Sequence, residues 1–140
     1  MTRAPASTHG KDRALEALVA AAREVRVRAY APYSKYRVGA AILTRSGKVF
    51  TGCNVENASY GATICAERFA IGKMIAADER DPVLCVVVTA GPEPGSPCGM
   101  CRQVLSEFAD DMRVVLVAQR VRRETSLAAL LPDAFRLDRR

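Results

Sequence analysis

The chain has 140 residues, 49% of them hydrophobic and 26% charged, which suits one domain that buries its core without disulfide help. No apolar run approaches the roughly 20 residues of a membrane span, and the N-terminus lacks the apolar stretch of a secretory signal. A cytoplasmic protein without a membrane partner is therefore expected, and a net charge of +6 leaves nucleic acid to be weighed as a partner.

Residues 1–11 mix Pro, Ser, Thr, Gly and charge without periodicity and read as a frayed leader, ahead of a single domain over 12–140. From Asp12, a plausible N-cap, the apolar positions Leu15, Leu18, Val19, Ala22, Val25 and Ala29 recur at helical spacing until Pro32 ends the run. Val38–Thr44 and Val49–Cys53 flank the turn Arg45-Ser46-Gly47-Lys48 and predict a hairpin. Ala66–Ala77 has helical spacing, and Pro82 follows its end. Leu84–Thr89 is continuously apolar, the mark of a strand covered on both faces. The loop GPEPGSP leads into a helix over Gly99–Phe108, and Val114–Ala118 is a further apolar strand. A short strand with a weak signal and a helix over Ser126–Leu131 complete the order before Pro132. Strand–helix–strand units with apolar strands imply parallel pairing. The class expected is α/β: a three-layer α-β-α domain with a mixed, mostly five-stranded sheet that begins with an antiparallel hairpin.

Five cysteines, an odd number in a chain with no signal segment, argue against a disulfide framework. Three of them fall where loops enter helices: Cys65 in Thr63-Ile64-Cys65-Ala66-Glu67-Arg68, and Cys98 and Cys101 in Ser96-Pro97-Cys98-Gly99-Met100-Cys101-Arg102-Gln103. Unpaired N–H groups and the positive dipole end at a helix start favour the thiolate that zinc needs. Two parallel strands side by side would bring both starts to one end of the sheet. A lone C-x-x-C is equally a metal, redox or chance motif; joined to Cys65 it predicts one Zn2+ per chain. Three protein ligands leave the fourth position to water, the pattern of a catalytic site. Closure by a fourth thiolate remains open, with Cys53 the rival ligand, whereas Cys85 reads as core and His9 lies in the leader.

Glu67, two residues from a ligand, is either an ordinary helix glutamate or a proton carrier beside the metal. Three thiolates leave zinc with net negative charge, which Arg68 would offset. Glu56 reads either as a solvated loop residue or as a carboxylate that accepts from a free sugar hydroxyl and repels a phosphate.

The stretches CNVENASYGATICAER and SPCGMCRQVLSEF, flanked by APYSKYRVGAAILT and LLPDAF, resemble the cytidine deaminase family in its small single-domain form, over nearly the whole chain. The related deaminases of polymeric nucleic acid carry histidine as first ligand; Cys65 in that place resembles the deaminases of free nucleosides. The resemblance implies zinc on Cys65, Cys98 and Cys101, with Glu67 as catalytic proton shuttle. Arg68 and Gln103 would stand near the zinc ligands. The substrate would be held by Tyr36, Asn54, Glu56 and Ala66, with Asn54 and Glu56 on the ribose 3′-hydroxyl. Ala58, Tyr60 and Phe135 would complete the sites of neighbouring subunits in a homotetramer. Tyr36 departs from the family, which usually has Phe there, and its hydroxyl needs a partner.

The expected reaction is deamination of cytidine and 2′-deoxycytidine to the uridines with release of ammonia, in pyrimidine salvage. Three rivals are a deaminase of modified cytosine nucleosides, a closed structural zinc module that binds RNA, and a thiol redox protein using Cys98 and Cys101. Against RNA, the arginines gather at the chain ends (Arg120, Arg122, Arg123, Arg136, Arg139 and Arg140 at the last) with no interleaved aromatic residues to stack bases. Solvated arginines and no nucleic-acid partner are the better reading.

Overall fold

Successive side chains of an extended strand point to opposite faces, and here both faces are buried. The computed structural model describes residues 8–138. Its elements in chain order are α1 (Thr8–Arg26), β1 (Gly39–Thr44), β2 (Val49–Cys53), a single 3-10 turn (Tyr60–Ala62), α2 (Ala66–Ala76) and β3 (Pro82–Val88). They continue with α3 (Gly99–Ser106), β4 (Arg113–Val117), β5 (Arg122–Ser126) and α4 (Leu127–Leu130). On β3, Val86 and Val88 pack with Leu18, Val19 and Ala22 of α1. Cys85 and Val87 face the other way, into a second core with Ala70, Ile71 and Met74 of α2, Leu105 of α3 and Leu127 of α4. This is the expected three-layer α-β-α arrangement around a mixed sheet of five strands, ordered β2-β1-β3-β4-β5.

The hairpin pairs β1 with β2 antiparallel, and β3 with β4 are parallel neighbours, Leu84 opposite Arg113 through Val88 opposite Val117. The strands that lead to the two cysteine-bearing helix starts are not neighbours, however. β1 lies between β2 and β3 and is antiparallel to both, so those two strands run in one direction. Gly39 at the start of β1 faces Cys53 on one side and Val88 on the other. Both strands therefore finish at the same end of the sheet, one strand apart.

Most element ends fall within two residues of the sequence expectation, and the two ends of α1 depart from it further. Helix α1 begins at Thr8 rather than at Asp12, so residues 8–11 are helical; the rest of the expected leader, residues 1–7, lies outside the described residues. Residues 9–11 of the extra turn are solvent-exposed, and no apolar periodicity marks them. At the other end the helix stops at Arg26, and tight turns follow, Arg28 N–H to Val25 O at 3.0 Å and Ala29 N–H to Arg26 O at 3.1 Å. Ala29 is buried, so its apolar spacing reports burial in a turn rather than another helical repeat. β5 is the weakly marked strand, paired antiparallel with β4.

A close backbone approach fixes the height of α2. A Cβ on Gly52 would stand 2.3 Å from the carbonyl oxygen of Ala66 and 2.6 Å from the nitrogen of Ala70. Only glycine lets the first turn of α2 rest on the strand, and Cys65 sits at its start.

Candidate active site

Cys65 and Cys98 occupy the N-cap positions of α2 and α3 with extended backbones, ψ 155° and 164°. Cys101 follows in the first turn of α3 and is buried, while Cys65 is half-buried and Cys98 exposed. Their sulfur atoms all lie within 4.8 Å of one another. The Cys65 and Cys98 sulfurs are 3.8 Å apart, and bonds of about 2.3 Å at tetrahedral angles would set ligand sulfurs about 3.8 Å apart. The residues therefore fit a zinc ion. Neither Cys53 nor Cys85 joins this group among the described residues, which removes the closed four-thiolate alternative there. Cys85 is buried in β3, and desolvation first, then the Glu67 charge, pushes its thiol well above the usual range.

The electrostatics favour a thiolate at Cys65. Its thiol is lowered to about 5, first by the Cys101 thiol as hydrogen-bond partner, then by Arg68 and Cys98, against desolvation. Cys101 is correspondingly raised. Arg68 donates from Nη2 to the Thr63 carbonyl at 2.9 Å and to the Cys65 sulfur at 3.7 Å. Its Nε is buried without a partner among the described residues. The guanidinium thus stands against the sulfur cluster, where its charge opposes the excess of negative charge.

Glu67 is 4% exposed and accepts from the Cys101 thiol at 3.6 Å. Burial first, then the Cys65 charge, raises its carboxyl above the ordinary range. A carboxyl raised in this way holds a proton more readily than an exposed glutamate, as a proton carrier must.

Beside the thiols lies a cavity of about 260 Å³ that reaches from Cys65, Cys98 and Glu67 to Asn54 and Glu56, with Tyr36 and Ala66 also on its wall. The segment carrying Asn54 and Glu56 is pinned on both sides: Glu56 N–H donates to Tyr30 O at 2.8 Å, and Val55 N–H to Ile64 O at 2.9 Å. Extended backbone then sends residues 54 and 56 to the same side. Asn54 uses both ends of its amide on the facing loop, accepting from Val38 N–H and donating to Tyr36 O, each at 2.8 Å. Glu56, 8% exposed, accepts from the Ser34 hydroxyl and from the N–H groups of Tyr33 at 2.9 Å and Ser34 at 3.2 Å. The Ser34 hydroxyl first, then these amides, hold its carboxyl below the usual range against desolvation.

Not every residue singled out in the sequence reaches the cavity. Ala58, Tyr60 and Phe135 do not line it; Tyr60 is 76% and Phe135 69% exposed. The Tyr60 ring meets Tyr33 edge-on with centroids 6.3 Å apart. Gln103, on α3 beyond Cys101, donates its amide to the Phe135 carbonyl at 2.9 Å, so it holds the C-terminal segment.

Other residues emerge only in three dimensions. Arg102 donates to Pro97 O at 2.8 Å, Ser96 Oγ at 3.0 Å and Leu130 O at 2.7 Å, bracing the approach to Cys98. Gly95 N–H donates to the Thr89 hydroxyl at 2.8 Å, and a Cβ on Gly95 would come within 2.6 Å of the Tyr36 hydroxyl. The tyrosine thus occupies room that glycine leaves. Ser34 stood in the quoted APYSKY stretch without a role; its i to i+2 contact, Tyr36 N–H to Ser34 Oγ at 3.0 Å, is the local signal a serine turn offers.

A larger hollow, about 740 Å³, opens at the opposite end of the sheet among Arg45, Asp81, Arg113 and Glu124. Its charges pair with each other, Arg45 with Asp81 at 2.6 Å and Arg113 with Glu124, and no thiol lines it. Size alone does not mark the chemistry; the smaller cavity holds it.

Comparison with known proteins agrees with this geometry. Residues 12–118 match the family model of the cytidine and deoxycytidylate deaminase zinc-binding region. The chain is 42% identical over 123 residues to a cytidine deaminase of Sporosarcina psychrophila, covering 86% of this chain and 90% of that one. It is 45% identical over 120 residues to the cytidine deaminase of Halalkalibacterium halodurans, covering 84% and 91%. The crystal structure of cytidine deaminase from Burkholderia pseudomallei superposes with a TM-score of 0.83 at 50% identity, covering 86% of this chain and 98% of that one. A cavity with two of the three clustered thiols at one end and a buried carboxylate at the other thus stands on a fold and sequence that place the chain in the cytidine and deoxycytidylate deaminase family.

Proposed function

We propose that the protein hydrolyses free cytidine and 2′-deoxycytidine to uridine and 2′-deoxyuridine with release of ammonia, serving the salvage of pyrimidine nucleosides. One observation carries the reading: a single small cavity joins the thiols and Glu67 at one end to the Glu56 carboxylate at the other. Its volume, about 260 Å³, is below the roughly 300 Å³ at which drug-sized pockets begin, and suits one nucleoside. An ionised Glu56 that already takes three donors from residues 33 and 34 can only accept. It rewards a free 3′-hydroxyl and repels a phosphate there, which favours nucleosides over nucleic acid despite the basic chain.

Cys65, Cys98 and Cys101 would hold one zinc per chain, and zinc bound there would supply water activated as a nucleophile at neutral pH. Glu67 would take a proton from the attacking water and deliver it to N3 of the cytosine ring. The water oxygen would bond to the amino-bearing carbon C4; Glu67 would then take the proton of the new C4 hydroxyl and pass it to the amino group, so that the C4–N bond breaks as the C4 carbonyl forms and ammonia departs. Arg68, against the Cys65 sulfur, balances the charge of three thiolates. Tyr36 packs on the base, Ala66 borders the zinc end, and Asn54 keeps the Tyr36 loop in place as well as facing the sugar.

Ala58, Tyr60 and Phe135, exposed and outside the cavity, suit completion of neighbouring subunits' sites in a homotetramer, with Gln103 anchoring the Phe135 segment. Free thiols suit the reducing cytoplasm, and no described helix is long and apolar enough to cross a membrane.

The test is the loss of cytidine's ultraviolet absorbance, with ammonia assayed in parallel, on zinc-loaded protein and on Glu67→Gln. Conversion by the first and not by the second establishes both reaction and proton carrier. Failure to convert, with about one zinc still bound per chain, would overturn the reading in favour of modified cytosine nucleosides.

A further inference from the structure

The loop that walls the sugar end of the cavity has few apolar anchors. Residues 33–37 are exposed, and Lys35 is in the left-handed region at φ 60°, so local hydrogen bonds must hold its shape. Two of them meet at one atom, Ser34 Oγ. The Ser34 hydroxyl donates to Glu56 Oε1 and accepts from the Tyr36 N–H at 3.0 Å. It therefore ties the carboxylate proposed to meet the sugar to the backbone of the residue proposed to pack on the base. Lys35 N–H closes the same turn onto Ala31 O at 3.0 Å, and Asn54 holds its far side through Tyr36 O.

Glu56 gains orientation from this arrangement. The amides of Tyr33 and Ser34 reach Oε2 at 2.9 and 3.2 Å, and the Ser34 amide also reaches Oε1, at 3.3 Å. Among the described residues the Ser34 hydroxyl is the one side-chain donor to the carboxylate, and it binds Oε1 alone. Together with the two amides it fixes the rotation of the carboxylate plane, and so the direction in which free lone pairs face the cavity. A freely turning carboxylate would need ordering when substrate binds, which weakens binding.

We propose that Ser34 is a positioning residue for substrate recognition, acting through Glu56: its hydroxyl sets the carboxylate for the nucleoside 3′-hydroxyl and locks the Tyr36 turn in register with it. This rests on the deaminase reading above and adds to it a residue that touches no reacting atom. The depressed Glu56 carboxyl, for which the Ser34 hydroxyl is the largest cause, agrees with the role.

The experiment compares kcat and KM of wild type, Ser34→Ala and Ser34→Thr on cytidine and on 3′-deoxycytidine, with zinc content measured for each. Ser34→Ala should raise KM for cytidine about tenfold, the scale of one hydrogen bond to a charged group, and leave kcat and zinc nearly unchanged. Ser34→Thr, which keeps the hydroxyl, should recover most of the loss. On 3′-deoxycytidine, with no hydroxyl for Glu56 to meet, the penalty of Ser34→Ala should largely disappear. An unchanged KM in Ser34→Ala, with water replacing the hydroxyl, overturns the inference. So does an equal penalty on both substrates, the sign of a general disturbance of the loop. Wild-type protein inert toward cytidine would overturn the deaminase reading along with it, whereas active wild type with either of the two preceding results overturns the inference alone.

Discussion

The two ends of the cavity are built by different means. At the thiol end, ligands sit at the caps and first turn of two helices that pack on the second core, and positions are set by regular backbone. At the sugar end, Asn54 and Glu56 project from an extended segment held by isolated bridges, and their side chains shape the loop that faces them. The difference teaches that chemistry which tolerates little displacement is placed on rigid elements, while recognition is placed where side chains and loop arrange each other. Changes at the first end should act on turnover and metal. Changes at the second should act on KM.

The largest effect expected is from removing a ligand. Cys98→Ala should lose zinc and drop ammonia release to background, measured by metal analysis beside the assay; retained turnover would mean that Cys98 is not needed to hold the metal. Next, Glu67→Gln should keep zinc and lose about 10²- to 10⁴-fold in kcat, the usual range for a positioned proton carrier. A change confined to KM would erase the distinction between the ends. At the sugar end, Glu56→Gln should raise KM for cytidine tenfold or more, on the order of a charged hydrogen bond, with kcat close to wild type.

The pH dependence should separate the ends as well. Since the folded Glu56 carboxyl is lowered, chiefly by Ser34, its binding form persists below the ordinary carboxylate range, and KM should rise only as pH falls through that lowered value. Glu67 is raised by burial, so its ionised form is lost at higher pH and kcat should begin to fall first on acidification. Coincident acid limbs for kcat and KM would contradict this. The smallest effect concerns Tyr36. Gly95→Ala should raise KM severalfold by crowding the tyrosine hydroxyl, and Tyr36→Phe in that background should restore part of it; the remainder reflects Thr89, whose methyl would lie 2.9 Å from the new Cβ.

Regular elements with a buried face could be read from the sequence because burial repeats. The apolar runs of β3 and β4 and the spacing in α2 reappear as two-sided burial and as Ala70, Ile71 and Met74 in the core. Cys65, Cys98 and Cys101 were legible because helix starts impose a spacing. What escaped was set by neighbours. The insertion of β1 between β2 and β3 leaves no trace in either strand's composition. Nor could the sequence show that the Gln103 amide turns to Phe135 O, or that Tyr36 and Gly95 share one space. The basic residues without assigned work prove partly structural: Arg122 pairs with Glu16 at 2.6 Å, and Arg136 with Asp110 at 3.1 Å and Ser106 O at 2.9 Å.

Strand β5 was hard to recognise for a physical reason. Its residues Arg122, Arg123 and Glu124 are exposed, and the strand closes one margin of the sheet with no further strand beside it among the described residues. A bare margin is a template for another polypeptide, and charged side chains along it make such recruitment unfavourable. The polarity that hid the strand is therefore a guard against aggregation, and apolar substitutions at Arg123 and Glu124 would make β5 easier to recognise while leaving the protein more prone to precipitate.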